Sequence, residues 1–235
     1  MASVERPASL PWWPADRPAR VGEPLSRARI VEAALRIIDA EGLEALSMRR
    51  LGVELGAGAT SVYWHVRSKD QLLDLVLDEI IGQTGDEVRP EGDWREQLAD
   101  AAHALRRVLL RHSNAVQMLG ARLTLGPNTL DAMEWLLGSL AEGGFDRTSA
   151  VATFNAVFNL TAGWAILESR SPVGPPPDPA TAEEVNAALA GMLRELPPDR
   201  FPNLVATAGE MTIATEDDLF DFALERLLDG IAANR

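Results

Sequence analysis

The sequence predicts an all-α fold, with an N-terminal three-helix helix-turn-helix domain joined to a larger helical domain. Three observations carry that prediction. Apolar residues recur at helical spacing through most of the chain, no run shows sustained strand alternation, and clusters of Gly, Pro, Ser and Asp separate the periodic stretches. With 235 residues and 46% hydrophobic content, the chain can bury one large core or two modest ones. No internal repeat is present.

Residues 1–24 are rich in Pro and Arg, carry the pair Trp12-Trp13, show no periodicity and read as a flexible arm. Within it, Arg17 and Arg20 stand where an arm can place arginine in a minor groove, the alternative being a plain disordered tail. From residue 25 the pattern changes. Ser26 is a candidate N-cap, Ile30, Ala33, Ala34, Ile37 and Ile38 recur at helical spacing, and Gly42 closes the helix. Leu43 and Leu46 fill the join to the next element.

Residues 47–70 are the most informative part of the chain. Leu51 and Leu55 at i, i+4 suggest a short helix, and Gly56-Ala57-Gly58 supplies a turn where positive φ is cheap. Thr60 and Ser61 can cap a second helix holding Val62 and Val66. That second helix presents Tyr63, Trp64 and His65 outward. Small residues at its start let a backbone approach base edges, and the groups that follow can reach phosphates, so double-stranded DNA is the expected partner. The alternative for Tyr63 and Trp64 is packing within the three-helix core.

Leu72, Leu73, Leu75, Val76, Leu77, Ile80 and Ile81 then form an apolar helix over 71–85, roughly 20 Å long and able to connect two parts of the molecule. Residues 86–235 read as a second domain with helices at 93–112, 114–119, 128–142, 146–169, 181–195 and 215–233. The five prolines between 171 and 179 exclude a helix there and mark a mobile surface loop.

Net charge is −13, yet residues 1–70 sum to +1 and the remainder to −14. Nucleic-acid binding needs local positive charge, here Arg49, Arg50, Arg67 and Lys69, and not a basic protein overall. The acidic remainder would oppose non-specific adsorption. The chain has no cysteine for a disulfide or thiolate metal site. Its N-terminus lacks the apolar segment of a secretion signal, and no uninterrupted apolar run approaches membrane length. A cytoplasmic protein without a membrane partner is expected.

Residues 25–82 resemble the tetracycline-repressor (TetR) family of bacterial transcription regulators. The likeness is plainest in Thr60-Ser61-Val62-Tyr63-Trp64-His65-Val66, followed by Lys69 and the leucine-rich helix. It continues more weakly through Asp93-Trp94, Leu109-Leu110-Arg111-His112, Leu119-Gly120-Ala121-Arg122, Gly144-Phe145 and Ile166-Leu167-Glu168. It implies a homodimeric regulator whose ligand loosens DNA binding by moving the connecting helix. Carried over by position, Arg49 would reach a base edge, guanine O6/N7 being its natural bidentate target. Ala59, Thr60 and Ser61 would lie against base edges, while Ser47, Tyr63, Trp64, His65 and Lys69 would hold phosphates.

For the effector, Leu105, Met118, Arg122, Trp135, Phe154, Asn155, Phe158, Asn159 and Trp164 offer a mostly apolar lining with a few amides. The metal-binding histidine of the family's tetracycline-binding members falls at Met118, and their drug-binding asparagine at Ala101. A thioether and a methyl cannot replace an imidazole and an amide, although Arg122 and Glu168 persist. The expected effector is therefore a small, largely hydrophobic or aromatic molecule, with no metal and no cofactor. Alternatives are a DNA-binding activator or a regulator without ligand. An enzyme is the remote alternative, because no nucleophile elbow, phosphate loop, zinc motif or dinucleotide fingerprint occurs. Small residues on 146–169 and apolar ones on 215–233 suit a two-fold helical interface, which would match a palindromic operator.

Overall fold

A computed structural model describes residues 25–88, 91–119, 125–169, 179–210 and 215–234. All regular structure among them is helical, as the spacing predicts. In chain order the helices are α1 (Arg27–Glu41), α2 (Met48–Glu54), α3 (Ala59–Tyr63), α4 (Lys69–Gly85), α5 (Trp94–Arg111), α6 (Ser113–Val116), α7 (Pro127–Glu142), α8 (Arg147–Ser169), α9 (Pro179–Arg194), α10 (Pro202–Ala206) and α11 (Glu216–Ala233), with a 3-10 turn at Leu43–Ala45. The expected arm at 1–24, with Arg17 and Arg20, and the proline-rich stretch lie outside the described residues apart from Pro179.

Most helix ends follow from caps written in the sequence. Ser26 Oγ accepts from Arg29 N at 3.2 Å, and Gly42 closes α1 at φ +85°. Asp93 and Glu96 form a reciprocal capping box at α5, as Thr215 and Asp218 do at α11. Differences arise where the signal is weak. The helix expected over 114–119 ends at Val116, and α10, a single turn opened by Pro202, carries no apolar period to announce it.

Two compact units divide the chain at residues 166 and 167. In the first, one apolar core runs from α1 through α2, α3 and α4 into α5, α6 and α8, with Ile38, Leu51, Val62, Leu72, Val76, Ile80 and Leu109 almost wholly buried. The expected division at residue 70 is thus bridged by packing. Both ends of α4 are in that core, because Leu72, Leu73, Leu75, Val76, Leu77, Ile80 and Ile81 cover more than one face of the helix. It packs on α1 on one side and on α5 and α7 on the other.

The second unit holds α9, α10 and α11. Ala190 and Ala208 are buried, and α9 packs on α10. In α11, Phe220, Leu224 and Leu228 are buried at i, i+4, i+8, while Leu219 and Phe222 stand exposed. Although the sequence has no uninterrupted apolar run of membrane length, α8 reaches that length and mean apolarity as a helix. Its Ala165 belongs to the core of the first unit, and Phe158 packs against that core.

Candidate nucleic-acid interface and effector cavity

The reading head is assembled around one close approach. Gly52 of α2 lies against the start of α3, where an added Cβ would stand 2.9 Å from the Ala57 carbonyl oxygen and 3.1 Å from Ala59 N. The turn between them uses Gly56 at φ +61°, and Ala57 N donates to the Gly52 oxygen at 2.9 Å. Leu51, Val62 and Val66 seal the interior at 0% exposure. Ser47 caps α2 by accepting from Arg50 N at 3.1 Å, and Ser68 caps α4 by accepting from Gln71 N at 3.1 Å. The N-cap of α3 is Gly58, not Thr60 or Ser61 as expected. Both hydroxyl residues fall inside the first turn, exposed, and their side chains are free of that capping duty.

Outward from this frame stand Ser47, Arg49, Thr60, Ser61, Tyr63 and Trp64, with Ala59, His65 and Lys69 half-buried between them. Trp64 is 75% exposed and Tyr63 50%, so core packing does not account for either ring. The neighbouring arginines divide. Arg50 is clamped by Glu41 at 2.6 Å and Glu54 at 2.9 Å, bracing the ends of α1 and α2. That hydrogen-bonded pairing holds the Glu41 carboxyl below its ordinary range and pushes the Arg50 guanidinium above its own. Arg49 is exposed and makes no ion pair among the described residues.

Behind the head, His112 fastens α1 to the body. Its Nδ1 lies 2.9 Å from Asp39 Oδ2 and its Nε2 3.0 Å from Gln83 Oε1, while Asn114 Nδ2 donates to the Ile38 and Asp39 oxygens at 3.1 and 3.0 Å.

The body holds a partly open cavity of about 400 Å³. Its walls are Ile81, Gly82, Thr84 and Gly85 of α4, Leu98, Ala101, Ala102 and Leu105 of α5, the first turns of α7 from Asn128 to Leu136, and Phe154, Val157, Phe158 and Thr161 of α8. The Phe154 and Phe158 rings are stacked, their centroids 6.2 Å apart and their planes 11° from parallel. The Thr84 hydroxyl is buried here without a hydrogen-bond partner among the described residues.

Leu105, Trp135, Phe154 and Phe158 therefore line the cavity, whereas other expected members do not. Met118 is buried in the core of the first unit. Asn155 and Asn159 sit on the exposed face of α8, roughly 100° around the helix from Phe154 and Phe158, and Asn155 Nδ2 donates to the Val151 oxygen of its own helix at 2.8 Å. Trp164 is half-buried outside the lining, and Arg122 lies outside the described residues. The residues that sequence reasoning missed are those of α4, Leu98, Ala101 and Ala102 of α5, the α7 wall apart from Trp135, and Val157 and Thr161 of α8. For α4 the available signal was Gly82 and Gly85, which leave its last turn short of large side chains. Among the described residues no cluster of His, Asp and Glu could hold a metal ion.

A helix-turn-helix head joined through one continuous core to a helical body with a largely apolar cavity defines a transcriptional regulator of the one-chain type, DNA-reading and sensing parts together. The chain belongs to the tetR family of bacterial regulatory proteins, whose model matches residues 30–76, while residues 88–235 match the tetracyclin repressor-like C-terminal domain. It is 34% identical to the HTH-type transcriptional repressor DrrR1 of Streptomyces coeruleorubidus over 231 residues, 97% of this chain and 85% of that protein. An HTH-type transcriptional regulator of Saccharopolyspora erythraea is 38% identical over 158 residues, 67% of each protein. The crystal structure of ActR, a TetR family protein of Streptomyces coelicolor, in complex with (S)-DNPA, superposes with a TM-score of 0.77 at 35% identity, covering 91% of this chain and 100% of that one. These relatives are regulators and not enzymes, and the chain is a DNA-binding transcription regulator.

Proposed function

We propose that the protein is a homodimeric, cytoplasmic repressor that leaves a palindromic operator when a small, largely hydrophobic or aromatic effector fills the cavity of the body. The observation that carries this reading is α4. Its first turn is joined to the reading helix α3 by the five residues 64–68, and its last turn is a wall of the cavity. A ligand that displaces the last turn therefore acts on the element that positions the first. Coupling of about 1–3 kcal/mol would change operator affinity roughly 5–150-fold.

At the operator, Arg49 reads a base edge and Ala59, Thr60 and Ser61 press against the groove floor. Ser47, Tyr63, Trp64, His65 and Lys69 fix the register on phosphates. A dimer is supported by the exposed apolar side chains Val151 and Leu167 on α8 and Leu219 and Phe222 on α11. Sedimentation at micromolar concentration gives a dimer on this reading, and a monomer there would remove it.

The cavity's aromatic walls support the effector class. ActR, of which crystal structures hold (S)-DNPA and actinorhodin, supports ligand control. The test is a gel shift on the DNA upstream of the protein's own gene, first without ligand and then with actinorhodin and a panel of polycyclic aromatic compounds. Repression by ligand-sensitive binding requires a specific complex that at least one compound dissolves. A complex that none of them alters would leave a DNA-binding protein without the proposed sensing.

A further inference from the structure

One buried charge belongs neither to the reading head nor to the cavity lining. Asp78, in the middle of α4, is 4% exposed, and both of its carboxylate oxygens are spent on the first turn of another helix. Oδ1 accepts from Thr129 N at 2.9 Å and from the Thr129 hydroxyl at 2.8 Å, and Oδ2 accepts from Asn128 N at 3.3 Å. Asn128 returns a bond, its Nδ2 donating to the Asp78 backbone oxygen at 3.2 Å. Helix α7 has no cap of its own, for Gly126 offers no side chain and Pro127 at the first position has no N–H. The carboxylate from α4 takes the place of that cap and adds a negative charge at the positive end of the α7 dipole.

The surroundings are shaped to this contact. A Cβ on Gly126 would collide with the Asp78 carboxylate, and one on Gly82, a turn further along α4, would stand 2.7 Å from the Asn128 amide. Asn128 and Thr129, the residues that Asp78 holds, are themselves part of the cavity wall. In the other direction, Leu72, Leu75 and Val76 of α4 lie in the same core as α1 and α3.

We propose that Asp78 is the positioning residue through which the cavity controls the reading head: it latches α4 to the ligand-facing turn of α7 in the arrangement that binds DNA. A buried carboxylate cannot be left without its donors, so a ligand that shifts Asn128 and Thr129 must draw α4 with them or break the latch. This assignment rests on α4 as the transmitting helix.

Three variants of the full chain test it. Asp78→Asn keeps the shape but turns an amide donor toward backbone N–H groups, Thr129→Val removes the hydroxyl donor alone, and Leu140→Ala opens a hole in α7 at a residue that lines neither the cavity nor the core shared with the head. Two readouts are compared with thermal stability: affinity for labelled DNA from upstream of the gene, by anisotropy, and amide hydrogen exchange across residues 59–77. Asp78→Asn should weaken DNA binding about 5-fold or more and speed exchange in 59–77, with Thr129→Val following in the same direction by less. Leu140→Ala should do neither, even where it lowers the melting temperature as far. If Asp78→Asn matches Leu140→Ala in both readouts, the bond is only a helix cap and the proposal is overturned. If the wild type binds no specific DNA, the repressor reading fails and the exchange comparison alone decides the latch.

Discussion

Arg49 and Arg50 are adjacent on α2, yet one is exposed without an ion pair among the described residues and the other is held by Glu41 and Glu54. Replacing Arg49 with alanine should cost on the order of 1–3 kcal/mol in operator binding and relax the choice of one base, as read by anisotropy against a set of single-base operator variants. An Arg50→Ala variant should keep the wild-type base preferences and lose thermal stability instead. The pH dependence of that loss has a definite sign. Because Arg50 depresses the Glu41 carboxyl, the pair stabilises the fold above the ordinary glutamate value of 4.5 and ceases to do so as pH falls through the lower native one. Melting temperatures of wild type and Arg50→Ala should therefore differ most at neutral pH and converge in acid; a gap that stays constant into strong acid would separate the stability loss from the ion pair. One partner of Arg50, Glu54 at i+4 on the same helix, is readable from the sequence, whereas the other, Glu41, is nine residues away on another helix and is brought in only by the fold.

Elements were legible where the chain writes its own punctuation. Ser26, Asp93, Thr215 and Pro127 open α1, α5, α11 and α7 within a residue of expectation. In α3 the punctuation misleads: Thr60 and Ser61 have the chemistry of caps, but the approach of α2 sets the start of the helix at Gly58. On α8 the aromatic pair Phe154 and Phe158 lines the cavity and the amides one position further around the helix do not, a division the sequence leaves open because nothing in a mostly apolar helix fixes its rotation. Gly52 is the residue on which the head's geometry depends most. Gly52→Ala puts a methyl against the backbone of Ala57 and Ala59, and overpacking of this kind costs about 1–3 kcal/mol. Circular-dichroism melts should show that loss, and anisotropy a weaker operator complex, while a pocket probe that quenches Trp135 should bind as in the wild type. Wild-type operator affinity in this variant would mean that the spacing of α2 and α3 is not what reads DNA.

For the whole molecule, the acidic balance of residues 71–235 and the near-neutral head leave DNA contact to a few positive groups, so operator affinity should fall with rising salt as a small number of phosphate contacts requires. The single core from α1 to α8 was not foreseen from a sequence that reads as two domains, because continuity depends on α4 burying more than one face, a matter of packing and not of periodicity. That continuity underlies the central claim, that occupancy of the cavity decides whether the head binds. It is tested most directly by filling the cavity from within. Ala101 is a small residue in its wall, and Ala101→Phe places a ring where the effector would lie. The measurement is anisotropy of operator DNA with wild type and Ala101→Phe, each titrated with a compound that releases the wild type. The variant's operator complex, whatever its starting affinity, should no longer respond to that compound; release of both proteins at the same concentration would mean that occupancy of the cavity does not control the head.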